Sequence, residues 1–176
     1  AGAAPGAIAS ATGGEVTVRY QRIGTCAADG GGGGGGGDPL TGLYVGSFGP
    51  HGPELLRLSR SVSKNGSEVV TAVKLTGDAH VPAGSVSFRA NIGRGDRLTP
   101  KDAYPHELGI EARYKGEGRV AHRGFSQPRW VDGELLVFGR GSGSLTGGAG
   151  LGFVWSVPGE KRFLILLNRV DLDMLS

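Results

Sequence analysis

The sequence predicts an all-β fold: a single closed or nearly closed antiparallel β-barrel of about nine or ten short strands behind a flexible glycine-rich leader. Three observations carry this. Short stretches alternate apolar and polar residues with the period of two that a half-buried strand requires. Turn residues punctuate them at intervals of roughly 8–12 residues. No window sustains the helical period. Sequential hairpins favour a barrel over a sandwich, because closure removes exposed strand edges.

Residues 1–37 form the leader. The first fourteen are small or polar with little to bury, which predicts flexibility. Val16, Val18 and Tyr20 then alternate with Glu15, Thr17 and Arg19, predicting a strand over residues 15–20. Eight consecutive glycines, 30–37, read as a linker. No Gly-Lys-Ser/Thr follows them, so they carry no phosphate-loop signal.

The barrel is predicted over residues 38–176. Strands over 42–48 and 54–59 flank a Gly-Pro-His-Gly-Pro turn. Asn65-Gly66 predicts a hairpin turn, since this pair tolerates positive φ. Asn65 also heads an Asn-Gly-Ser acceptor pattern, but the turn already accounts for it. In 68–76, Val69, Thr71, Val73 and Leu75 share one face. In 85–92, Val86, Phe88, Ala90 and Ile92 face inward. Thr99-Pro100 is the one helix start, cut to about a turn by Pro105. Further strands are predicted over 110–115, 118–122, 134–138, 151–157 and 162–172. The last is apolar on both faces through Leu167, which predicts a central position.

Composition narrows the function. The 35 glycines lie largely in the leader and in 139–152. The net charge is +3, with Lys and Arg scattered among acids rather than clustered, which argues against nucleic-acid binding. Cys26 is the single cysteine, so no intrachain disulfide forms and nothing points to an oxidising compartment. The longest apolar run, Phe163 to Leu167, is too short to span a bilayer. The chain opens on Ala without a signal pattern, as a processed or excised piece would.

His51, His80, His106 and His122 have no metal-type partner three or four residues away. No nucleophile elbow and no catalytic cysteine context occur. The chain is therefore expected to be no enzyme and to hold no cofactor or metal. Two tryptophans remain. Trp155, among apolar residues at alternate positions, is expected in the core. Trp130 lies between Pro128 and Asp132-Gly133, which predicts bends on both sides and a place at a strand edge or barrel mouth. There its ring would plug one end, with the indole N–H on a backbone carbonyl.

Several runs look familiar: GLYVGSFGPHG from Gly42, AVKLTGDAHVPAGSVSFRA from Ala72, and ELGIEARYKGEGRVA from Glu107. PRWVDGEL from Pro128, GFVW from Gly152 and FLILLNRVDL from Phe163 complete the set. In this order they resemble the C-terminal domain of the chloroplast EXECUTER proteins. FGPHG, TGD…VPAG and GFVW more distantly resemble the cyclin-D-binding domain of F-box ubiquitin-ligase receptors.

The EXECUTER resemblance implies a β-barrel that senses singlet oxygen in chloroplast-to-nucleus signalling. It also implies tryptophan oxidation followed by degradation by the thylakoid FtsH protease. The family's oxidisable residue maps to Trp130, within PRWVDGEL. Trp155 lies in the motif shared with the F-box group and reads as structural. Oxidation of a packed indole would replace burial worth about 1.5–3 kcal/mol with a polar mismatch of about 1–3 kcal/mol, enough to open part of a barrel. The family's upstream UvrB/UvrC-type helical segment has no counterpart in this sequence. The F-box resemblance implies instead a barrel that binds a peptide or protein tail. A lipocalin-like carrier is a third reading, and it requires an open interior.

Overall fold

The computed structural model describes residues 38–99, 104–139 and 143–171. The strand predicted over 15–20, the flexibility predicted for the leader and the helical turn predicted after Thr99 fall outside them. Eight strands form among the described residues: β1 (Gly42–Ser47), β2 (Pro53–Val62), β3 (Glu68–Lys74), β4 (Val86–Asn91), β5 (Ile110–His122), β6 (Ser126–Phe138), β7 (Leu151–Ser156) and β8 (Phe163–Arg169). One helical turn, α1 (Gly143–Thr146), precedes β7. Each strand pairs antiparallel with the next, and β8 pairs with β1 to close the barrel. No described helix is long and apolar enough to cross a membrane.

Eight strands replace the nine or ten expected because β5 and β6 are each 13 residues long and unbroken. Gly116, Gly118 and Gly133, which read as strand breaks, sit within the ladder. None has positive φ; they are glycine for space. A Cβ on Gly133 would stand 2.5 Å from the Phe153 ring, and one on Gly118 would lie inside the Trp155 indole. These glycines let two aromatic rings lie flat against the strand backbone. Residues 126–133 are therefore the first half of β6, and Gly124 and Phe125 lie in the turn that precedes it.

Layers of side chains fill the barrel. At one end the Tyr44 hydroxyl donates to the Pro39 carbonyl and closes it. Leu56, Leu58, Val70, Leu135 and Leu151 occupy the middle, and Phe88 stacks on Phe153 with centroids 4.3 Å apart. This packing leaves no lipocalin-like chamber through the centre. Phe88 and Ala90 of β4 and Ile92 just beyond it are buried as expected, as are Leu151, Phe153 and Trp155 of β7, but Val86 is only half-buried and Ser87, expected outward, is buried.

In β3 the inward residues are Val70, Ala72 and Lys74, opposite to the face marked by Val69, Val73 and Leu75. Both faces of β3 are apolar, so alternation alone could not orient it. At the 63–67 hairpin only Gly66 takes positive φ, at 80°. Asn65 contributes its side-chain oxygen, which accepts from the Ser67 N–H at 3.2 Å.

A second small core lies on the outside. Leu136, Phe138 and Val154 pack with Leu164 and Leu166 beneath Tyr104 and Leu108 from the β4–β5 connection. That cover explains why β8 is apolar on both faces.

Candidate functional site

Trp130 sits on β6, opposite Arg119 of β5. Its neighbour Val131 faces the core, so alternation along the strand turns Trp130 onto the outer wall. The ring is half-buried. The guanidinium of Arg119 lies 4.2 Å from its centroid, and that of Arg89, reaching across from β4, lies 4.4 Å away. Trp130 thus plugs neither end of the barrel. The bend expected at Asp132-Gly133 is absent, since both residues continue the ladder, and Pro128 lies in a register slip between Val120 and His122. Gln127, at φ 47°, turns the chain there.

The two arginines differ electrostatically. Arg89 donates to Glu117 through Nε at 3.0 Å and Nη2 at 2.7 Å. Arg119 has no carboxylate partner among the described residues, and its Nε is buried with no hydrogen-bond acceptor. The Phe125 ring lies 5.8 Å from its guanidinium.

Trp155 is the opposite case. It is 2% exposed. Phe163 stacks on it at 5.2 Å, and the edges of Phe153 and Phe48 meet it at 4.6 and 5.9 Å. The expectation of a core position holds.

Trp155 also floors a cavity of about 610 Å³ at the open mouth. Around it stand Phe48 and His51 from the 48–52 turn, Asp78 and His80 from the 76–84 loop, and Lys74 from the end of β3. Lys74 is a buried cation whose side chain is 2% exposed; it pairs with Asp78 and lies 4.3 Å over the Phe48 ring. Burial disfavours the Asp78 carboxylate. Hydrogen bonds from Lys74, from the Val81 N–H at 2.8 Å and from the His80 N–H at 2.6 Å outweigh it, holding that carboxyl below its usual pKa. His51 and His80 meet edge to face at 4.8 Å. Among the described residues no three potential metal ligands cluster.

Alternation placed Trp155 in the core and the family resemblance singled out Trp130, but neither brought out Arg89, Arg119, Lys74 or Asp78. Barrel register gathers these groups. The one available signal was Lys74 itself, a lysine continuing a run of apolar alternation.

A closed antiparallel barrel with an aromatic mouth is the architecture in hand, and the sequence model described as the cyclin D1 binding domain matches residues 34–174. The chain belongs to that family. Its curated relatives there are EXECUTER proteins. It is 53% identical over 143 residues to Protein EXECUTER 2, chloroplastic, of Oryza sativa subsp. japonica, covering 77% of this chain and 23% of that protein. It is 48% identical to Protein EXECUTER 2, chloroplastic, of Arabidopsis thaliana, with the same coverage. To Protein EXECUTER 1, chloroplastic, of Arabidopsis thaliana it is 45% identical, covering 77% of this chain and 21% of that one. The chain thus spans under a quarter of the length of these relatives.

Proposed function

We propose that this domain is a non-enzymatic singlet-oxygen sensor of the chloroplast whose oxidisable element is Trp130. On this reading the oxidised form signals toward the nucleus and is degraded by an FtsH-type thylakoid protease. The observation that carries it is the contrast between the two indoles. Trp130 stands half-open on the outer wall, whereas Trp155, 2% exposed, is packed among four aromatic rings.

Singlet oxygen adds across the electron-rich C2–C3 bond of the indole. The resulting dioxetane opens with cleavage of that bond, and both oxygens end as carbonyls of N-formylkynurenine. No other oxidant or reductant is needed. The product has lost the indole π-face that engages two guanidiniums and has gained polar carbonyls.

The test is photosensitised illumination followed by residue-resolved mass spectrometry. Trp130 is expected to gain two oxygen atoms before Trp155 is touched, and Trp130→Phe to block protease-dependent turnover in chloroplasts. Oxidation of Trp155 with Trp130 intact would overturn the assignment.

A second reading, peptide recognition at the mouth, is favoured by the cavity there. Its volume falls within the roughly 300–1,000 Å³ of ligand sites. The Lys74 ammonium has N–H groups beyond the one given to Asp78, suited to a ligand carbonyl or carboxylate. A peptide array whose hits vanish with Phe163→Ala would support it, and hits indifferent to that change would count against it.

A further inference from the structure

The hairpin that carries Trp130 projects past its neighbours. Gly118 is the last residue of β5 paired with β4, and Asp132 is the first of β6 paired with β7. Within the barrel sheet, residues 119–130 therefore pair only with one another. One edge is fastened to the 76–84 loop, by the Gly124 N–H donating to Ala79 at 2.7 Å and by His80 Nδ1 lying 3.0 Å from the Ala121 carbonyl. From 118 to 131 this arm holds Arg119, Arg123, Arg129 and His122, and no Asp or Glu. Among the described residues, none of the three arginines forms an ion pair.

We infer that this arm is a docking surface for an acidic protein segment, and that reduced Trp130 keeps it closed by holding Arg119 against the indole. The inference rests on the sensor reading and names the partner chemistry that reads it. Buried Nε is the measure of the closure: a guanidinium flattened on a ring cannot present its full fork to a carboxylate. Ring opening breaks up the bicyclic face on which Arg119 lies and leaves a smaller, acyl-substituted benzene ring that holds a guanidinium less well. Arg89 stays chelated by Glu117, so the released charge is that of Arg119.

The arm's composition selects among anionic partners. A lipid surface would call for an exposed apolar wedge at the tip. Phe125, the one aromatic there, faces Arg119, and the large exposed hydrophobics, Val62, Leu145 and Phe163, lie elsewhere. A nucleic-acid backbone would meet Glu117 and Asp132 at the root of the arm. Carboxylates spaced along a peptide pair with the arginines one by one.

The experiment titrates a fluorescein-labelled oligo-glutamate peptide into the 176-residue chain in three forms: untreated, photo-oxidised and Trp130→Leu. The leucine variant removes the ring without adding carbonyls. Both altered forms are expected to bind about tenfold more tightly than the untreated chain, the scale of one charge-assisted hydrogen bond. The gain should shrink as salt screens the arm, and Arg119→Gln should cancel it in either background. Thermal melts confirm that each variant is folded before it is titrated.

Equal affinity of Trp130→Leu and the untreated chain overturns the inference. So does a gain that survives Arg119→Gln, or a gain larger for phosphatidylglycerol vesicles or a short DNA duplex than for the peptide. If Trp130 resists oxidation while Trp130→Leu binds more tightly, the sensor reading fails and the arm stands. If Trp130 is oxidised and neither form gains affinity, the arm fails and the sensor reading stands.

Discussion

Three single positions carry distinct physical demands. Gly118 leaves the space that the Trp155 indole occupies. Gly118→Ala should therefore destabilise by about 1–3 kcal/mol or more, as overpacking of a filled core does. A denaturant titration measures it, and an unchanged midpoint would contradict the packing described. Asp78 neutralises the buried Lys74 ammonium. Removing one partner of a buried ion pair costs about 3–5 kcal/mol, so Asp78→Asn should destabilise on that scale. The sign with pH follows from the depressed carboxyl. Its stabilisation is present above the unfolded-state value of roughly 3.9 and is lost as pH falls through the lower folded value. The gap between wild type and Asp78→Asn should hence be widest near neutrality and narrow on acidification. At Trp130 two cations draw density from the ring that an electrophile attacks. Arg89→Gln should both enrich the ring and uncover it, so its rate of photo-oxidation should rise. A slower rate would show that the arginines do not shield it.

At the scale of elements, the sequence could be read where alternation had one meaning and failed where a residue type had two. β4 and β7 were legible because their inward faces are apolar and their outward faces less so. β5 and β6 were misread because glycine marks both turns and close approach. Only Phe153 and Trp155, well downstream of Gly133, reveal which is meant. β3 could not be oriented because both its faces are apolar, and Lys74 faces inward for a partner that lies beyond the strand. The arm formed by residues 119–130 has no signature of its own, since it becomes an arm only where β4 and β7 stop pairing. It also makes a prediction. Backbone amides there lack the flanking strands that protect β7. Hydrogen exchange should be faster across 119–130 than across Leu151–Ser156. Equal protection would mean that the arm is held by more than the 76–84 loop.

For the whole molecule, the position of Trp130 changes what oxidation is expected to do. A plug at a barrel end would have supported the core, and its loss would have opened the barrel. On the outer wall the indole contributes two cation–π contacts, worth about 0.5–1 kcal/mol each at exposed sites. Set against a domain stability of about 5–15 kcal/mol, that loss leaves the barrel folded. Oxidation of Trp155 would be a different event, comparable to the roughly 3–5 kcal/mol cost of truncating a buried tryptophan. Recognition of the oxidised state therefore falls to the surface around β4–β6 rather than to an unfolded chain. The decisive measurement is calorimetry on material in which mass spectrometry finds Trp130 converted and Trp155 intact. The transition should remain single and cooperative, with its midpoint lowered by about 2–8 °C, the scale of a loss of one or two kcal/mol. A chain without a transition under those conditions would return Trp130 to a supporting role in the barrel.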